Sequence, residues 1–299
     1  MKRTDIPLDR VCVARNGVAG GRRDSGRAPE HVSQGDGMTT STSDGAGFQE
    51  LRLDINGIDT LVLTAGAGDP VVFFHGGGTG SGFDWLLPIA AQFRLIVAYH
   101  PGFGRSGGPA LPGVDHLARH HLDVLDRLGV ARFHLVGQSM GGWTAATLAS
   151  YSTHRIVKLA LVCPVGLDVP EHPTVNLLAV PPAEVPHYLT NDPAIFAPPG
   201  APPPSPEFLA ARLREAESFA TVQRHGLTHE SGLGRWLHRI DVPTLLVWGE
   251  ADRLVPFAQA AVWAAAMPKA TIKSFPGAGH LLFEERPEAA SALVDFFRA

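Results

Sequence analysis

The chain has 299 residues, 44% of them hydrophobic and 18% charged, a composition that suits one large core carrying an insertion better than two independent folds. A formal net charge of -4 and a pI near 6.4 exclude the broad basic surface that nucleic-acid binding requires, and leave a small neutral or anionic substrate open. Cys12 and Cys163 are too far apart to suggest a disulfide framework, and no apolar run approaches the roughly 20 residues of a membrane span.

In chain order, residues 1–47 are rich in Gly, Arg, Ser and Asp, show no apolar periodicity, and are expected to stay disordered outside the fold. Arg22-Arg23 is followed by Asp24-Ser25-Gly26, where a twin-arginine signal needs apolar residues; with no secretory h-region either, a cytoplasmic location is expected. Met38, ahead of Thr39-Thr40-Ser41-Thr42, is a candidate translational start. From Leu51 the residues alternate, Asn56-Gly57 marks a hairpin turn, and 60–63 returns. Continuous apolar runs then recur at 71–74, 95–98, 133–136, 156–162, 244–247 and 270–275, separated by helix-like segments. This rhythm predicts an α/β fold, a mostly parallel sheet with helices on both faces. Residues 48–163 and 240–299 form the expected core. Between 164 and 239 proline is too dense for central strands, and one helix is predicted from 206 to 223. That segment reads as a Pro-rich helical cap over the carboxyl ends of the strands, where open α/β sheets bind ligands.

The run His134 to Trp143 carries Gly137-Gln138-Ser139-Met140-Gly141 between a strand and an Ala-rich helix. The Gly-x-Ser-x-Gly spacing suits a sharp strained turn that lifts a nucleophilic Ser139 clear of the sheet, with the Met140 N–H at the helix start facing a substrate oxyanion. By itself the pattern is common. The strand 71–74 runs into His75-Gly76-Gly77-Gly78, whose exposed N–H groups make Gly77 the second oxyanion donor, a flexible turn being the alternative. His75 is read as a support for that loop rather than a base. After the strand 244–247, Asp252 is the chosen triad acid, with Glu250 and Asp168 as competitors. His280, in the loop after the last strand, is the base, and the chain order Ser, Asp, His is the one this architecture requires.

Other motifs carry less. His116, His120 and His121 share a predicted helix, but Leu117, Leu122, Leu125 and Leu128 explain it as a sheet-packing element, and no metal is expected. No phosphate loop or dinucleotide fingerprint occurs, so no cofactor is expected.

With these motifs in place, residues 51–299 resemble the α/β-hydrolase superfamily. Tyr99-His100-Pro101-Gly102-Phe103-Gly104-Arg105-Ser106 is similar to one of its loops, although His100 stands where an Asp is usual. Ser139 argues against the epoxide hydrolases and haloalkane dehalogenases, which use an aspartate there. Within the superfamily, His75-Gly76-Gly77-Gly78 and Ser139-Met140-Gly141-Gly142 look like the meta-cleavage product hydrolases, which cut C–C bonds of vinylogous diketo acids. Glu207 to Arg212 resembles the cap helix of those enzymes, and the resemblance makes Arg212 a candidate for the substrate carboxylate; a solvated surface arginine is the alternative. Gln138 replaces an Asn usual before the serine, and Leu281 a Trp usual after the histidine. Both positions border the substrate in that subfamily, so a small carboxylic ester is an equal expectation. A binding protein that keeps the pocket without turnover, and perhydrolysis or cofactor-free oxygenation on the same triad, are the readings from other classes. A small-molecule substrate is expected, with no nucleic-acid or membrane partner; a homo-oligomer is left open.

Overall fold

The structure is a computed structural model that describes residues 38–41, 47–80, 82–196, 198–200, 202–224 and 232–299. Its strands are β1 Met38–Ser41, β2 Gln49–Ile55, β3 Ile58–Ala65, β4 Pro70–Phe74, β5 Arg94–Ala98, β6 Phe133–Gln138, β7 Ile156–Val162, β8 Thr244–Gly249 and β9 Ala270–Phe275. Among the described residues they form one 9-stranded sheet in the order β1-β2-β3-β5-β4-β6-β7-β8-β9. The β1/β2, β2/β3 and β3/β5 pairs are antiparallel, and every pair from β5 to β9 is parallel.

The apolar runs become the central strands because both faces are covered. Val71, Val72, Phe73, Leu135, Val136, Ala160, Leu161, Leu246 and Val247 are fully buried. The helices are α1 Leu87–Ala90, α2 Val114–Arg127, α3 Met140–Ser152, α4 Val185–Leu189, α5 Pro206–Val222, α6 Gln259–Ala266, α7 Leu282–Glu285 and α8 Glu288–Arg298. α2 packs on α3 and α1 on α8, with α3 against β4, β6 and β7, and α6 against β8 and β9. The Asn56-Gly57 turn has positive φ at both residues, 53° and 82°, as a two-residue hairpin with the right twist demands.

One expectation is corrected. Met38–Ser41 falls in the stretch expected to stay outside the fold, yet it pairs antiparallel with β2, Met38 opposite Leu53 and Ser41 opposite Glu50. The β2 edge would otherwise present unpaired backbone groups, and the threonines of Met38–Ser41 favour extended backbone. Residues 1–37 and 42–46, covered by the same expectation, lie outside the described residues.

Between β7 and β8 no strand occurs among the described residues. This insertion holds α4, α5 and short 3-10 turns at Leu177–Ala179, Pro193–Ile195, Leu233–Arg235 and Leu237–Arg239. α5 starts where local chemistry starts helices: the Ser205 Oγ accepts from the Phe208 N–H at 3.2 Å, Pro206 fills the first helical position, and Glu207 stands in the first turn.

Candidate active site

β6 delivers Gln138, and the chain turns within one residue into α3. Ser139 sits in that turn at φ 54°, ψ -117°, a conformation that L residues rarely hold. Close approach of strand and helix enforces it. A Cβ on Gly137 would lie 2.3 Å from the Gly141 carbonyl oxygen, and one on Gly141 would lie 2.0 Å from the Phe74 carbonyl oxygen, so neither position admits a side chain. Met140, the first residue of α3, has an N–H with no intrahelical partner by helix geometry.

The loops after β8 and β9 bring two further predicted residues to the serine. His280 Nε2 is 2.8 Å from Ser139 Oγ, and His280 Nδ1 is 2.8 Å from Asp252 Oδ2. The other carboxylate oxygen of Asp252 accepts the N–H groups of Leu254 and Val255, both at 2.9 Å. Both side chains are buried, so the carboxylate has no alternative partner in water and holds the imidazole in one orientation. The competing acids lie elsewhere: Glu250 accepts from the Ser274 hydroxyl at 2.7 Å, and Asp168 is exposed.

The glycine loop after β4 closes the other side. A Cβ on Gly76 would come within 3.3 Å of the Ser139 Cβ, which places this loop directly beside the nucleophile. Gly77 faces the Phe219 ring, which a Cβ there would meet at 2.7 Å, and Gly78 faces the Arg212 guanidinium at 2.6 Å. α5 therefore lies along the loop. Arg212 is half-exposed and donates to Glu215 at 2.7 Å. Gln138 is buried at the end of β6; Leu281 is half-buried, and its N–H donates to the Leu189 carbonyl of α4 at 2.8 Å.

Three features were not read from the sequence. Glu215 is buried and accepts from the Thr79 N–H at 3.2 Å, from the Thr79 hydroxyl and from the Gly104 N–H at 3.1 Å, tying α5 to two core loops; the Ser218 hydroxyl adds a bond to the Gly102 carbonyl at 2.7 Å. Behind the glycine loop runs a chain of buried imidazoles. The His100 N–H donates to His75 Nε2 at 2.9 Å, so His75 carries its proton on Nδ1 and donates it to the Gly76 carbonyl at 2.7 Å. His100 Nε2 donates to the His75 carbonyl at 2.8 Å, and its Nδ1 accepts from His121 Nε2 at 2.7 Å. His121 Nδ1 is left buried without a hydrogen-bond partner among the described residues. Burial holds His75 and His120 down to about 4 and His100 and His121 well below the usual imidazole range, consistent with neutral rings. Third, Cys163 directly follows β7 at φ 43° with its side chain within 4.8 Å of Asp252 and His280; burial, then the Asp252 charge, push its thiol pKa well up.

The sequence matches the model of the alpha/beta hydrolase family over residues 71–293, which is most of the chain. The chain belongs to the alpha/beta hydrolase family. This alpha/beta hydrolase is 29% identical over 286 residues to the 2-hydroxy-6-oxo-6-phenylhexa-2,4-dienoate hydrolase of Burkholderia cepacia, covering 84% of this chain and 92% of that protein. It is also 29% identical to the dihydrolipoyllysine-residue acetyltransferase component of the acetoin cleaving system of Cupriavidus necator, over 81% of this chain and 67% of that one. Among solved structures, the 2-hydroxy-6-oxo-6-phenylhexa-2,4-dienoate hydrolase of Rhodococcus sp. strain RHA1 superposes with a TM-score of 0.68 at 24% identity, covering 87% of this chain and 100% of that one. A membrane phospholipase A gives a TM-score of 0.71 at 23% identity over 85% and 86% of the two chains. These superpositions speak to the shared fold. Among the described residues no helix is long and apolar enough to cross a membrane.

Proposed function

We propose that this alpha/beta hydrolase cleaves an acyl group by nucleophilic catalysis from Ser139. The unbroken hydrogen-bond chain Ser139–His280–Asp252, with both contacts at 2.8 Å, carries the reading. A free serine hydroxyl is a poor nucleophile. His280 Nε2 takes its proton as Oγ attacks the carbonyl, and Asp252 keeps the Nδ1–H tautomer and stabilises the imidazolium. The N–H groups of Met140 and Gly77 receive the oxyanion. The Phe219 ring over Gly77 keeps bulk water from that side, where donors act more strongly in a low dielectric. His280 then protonates the leaving group and activates water for deacylation. No metal or organic cofactor is needed for these steps.

For the substrate we favour a C–C bond of a vinylogous diketo acid. Relatives that carry out that reaction, and the half-exposed Arg212 guanidinium beside the glycine loop, support it. The triad would then promote ketonisation before carbonyl attack, with Gln138 and Leu281 bordering the acyl group. Hydrolysis of a small uncharged carboxylic ester is the second reading. It is favoured by Glu215, which already pairs with Arg212 at 2.7 Å and compensates the charge that a substrate carboxylate would use.

Fluorophosphonate labelling with peptide mapping tests the common core. A single adduct on Ser139, absent from Ser139→Ala, is expected; a folded wild type that stays unlabelled overturns the reading. Dienoate and p-nitrophenyl ester substrates, compared in wild type and Arg212→Met, decide between the two substrate classes: a selective loss on the dienoate supports the first.

A further inference from the structure

The helix α5 meets the glycine loop in reverse order. The Phe208 ring is 3.5 Å from a Cβ placed on Gly80, Arg212 meets Gly80 and Gly78, and Phe219 meets Gly77; Gly76, next in the loop, is the residue that touches Ser139. Progress towards the C-terminus of α5 is therefore progress towards the nucleophile. The next residue on the same stripe is Gln223. At about 100° per residue, Phe208, Arg212, Phe219 and Gln223 span only about 60° of the helix surface. The Gln223 N–H donates to the Phe219 carbonyl at 3.0 Å, which holds it one turn above Phe219 in helical register. Glu215, Ser218 and Val222 take the neighbouring stripe, the first two of them bonded to the loop at 102–104.

Gln223 is 4% exposed, and neither its amide oxygen nor its amide nitrogen has a hydrogen-bond partner among the described residues. A buried primary amide with both ends unmet costs stability and is rare in a folded chain. We propose that Gln223 is a specificity-determining residue that hydrogen-bonds an uncharged oxygen, carbonyl or hydroxyl, on the acyl part of the substrate. The distance is set by the helix: one turn, roughly 5.4 Å, beyond the Phe219–Gly77 contact, or about four carbons along an extended acyl chain from the carbonyl held by the oxyanion donors. The inference rests on the serine-hydrolase reading above and fits both of its substrate classes, since a vinylogous diketo acid and an oxo- or hydroxy-ester each carry such an oxygen.

The test uses p-nitrophenyl 5-oxohexanoate beside p-nitrophenyl hexanoate, with the full chain and Gln223→Leu, which keeps the volume and removes the amide. Wild type is expected to favour the oxo ester by tenfold or more in kcat/KM, because the deoxy chain leaves the amide unpaired. In Gln223→Leu that ratio falls to near one. The melting temperature stays level or rises, since an unpartnered buried amide has been replaced by an apolar group. A ratio unchanged by the substitution overturns the proposal. So does a fall in melting temperature with both esters slowing together, which marks Gln223 as a structural residue. Fluorophosphonate labelling of Ser139 runs in parallel: an unlabelled wild type sinks the hydrolase reading and this one with it, while a labelled wild type with no oxo preference sinks this one alone.

Discussion

Ser139 holds its left-handed φ of 54° only because the strand and helix either side of it touch through bare backbone at Gly137 and Gly141. Gly141→Ala forces a methyl to within 2.0 Å of the Phe74 carbonyl oxygen, and neither backbone can retreat without breaking β4 or α3. That variant is expected to lose several kcal/mol, on the order of the larger core-overpacking effects, in urea unfolding, or to fail to fold. Asp252→Asn is a milder change. Its Oδ1 can still accept from Leu254 and Val255, but an amide opposite His280 Nδ1 favours the wrong imidazole tautomer. A kcat lower by about 10³ to 10⁴ with KM little changed is expected in steady-state kinetics. The serine was legible from sequence because the constraint on it is local, a glycine two residues either side. The acid was less so: Glu250, Asp252 and Asp168 all lie near strand ends, and the hydrogen-bond partners that separate them come from residues distant in the chain.

The helix α5 shows the same limit one level up. Its start was legible from Ser205, Pro206 and Glu207, and its end fell within a residue of the expected position. Its attachment was not, since nothing in the local sequence of α5 marks Glu215 as the residue that the core loops bind. The donors that bury Glu215, Thr79 and Gly104, are 136 and 111 residues away in sequence. Glu215→Ala leaves the Thr79 N–H and the Gly104 N–H without an acceptor, at roughly 1–3 kcal/mol for each group left buried. Calorimetry is expected to show a melting temperature lower by several degrees. Limited proteolysis is expected to cut first within 164–239, as α5 comes away from the core loops before the sheet unfolds.

For the whole molecule, the sheet was the most legible feature, because a parallel strand buried on both faces has no polar positions to obscure it; β5 to β8 follow their apolar runs closely. β1 was not legible, since Met38-Thr39-Thr40-Ser41 is too short and too polar to show an alternating apolar pattern. The histidine chain behind the glycine loop gives the fold a pH dependence of definite sign. His75, His100, His120 and His121 are neutral when folded and take up protons on unfolding at acid pH, so the folded state binds fewer protons. Their contribution is complete above the ordinary value of 6.5 and is lost as the pH falls towards about 4. Urea midpoints measured between pH 7 and pH 4 are expected to drop steeply, and His100→Asn is expected to flatten that slope while lowering the midpoint at pH 7.

Cys163, buried beside Asp252 with its thiol held protonated, has a kinetic consequence. Alkylating reagents attack thiolates that they can reach, and the native chain offers neither condition at this position. Modification must therefore wait for the end of β7 to separate from the loops carrying Asp252 and His280. In a Cys12→Ser background, the rate of iodoacetamide uptake under native conditions becomes a stopwatch for transient opening of the catalytic centre. A rate as fast as that of a free thiol would show that Cys163 is not enclosed.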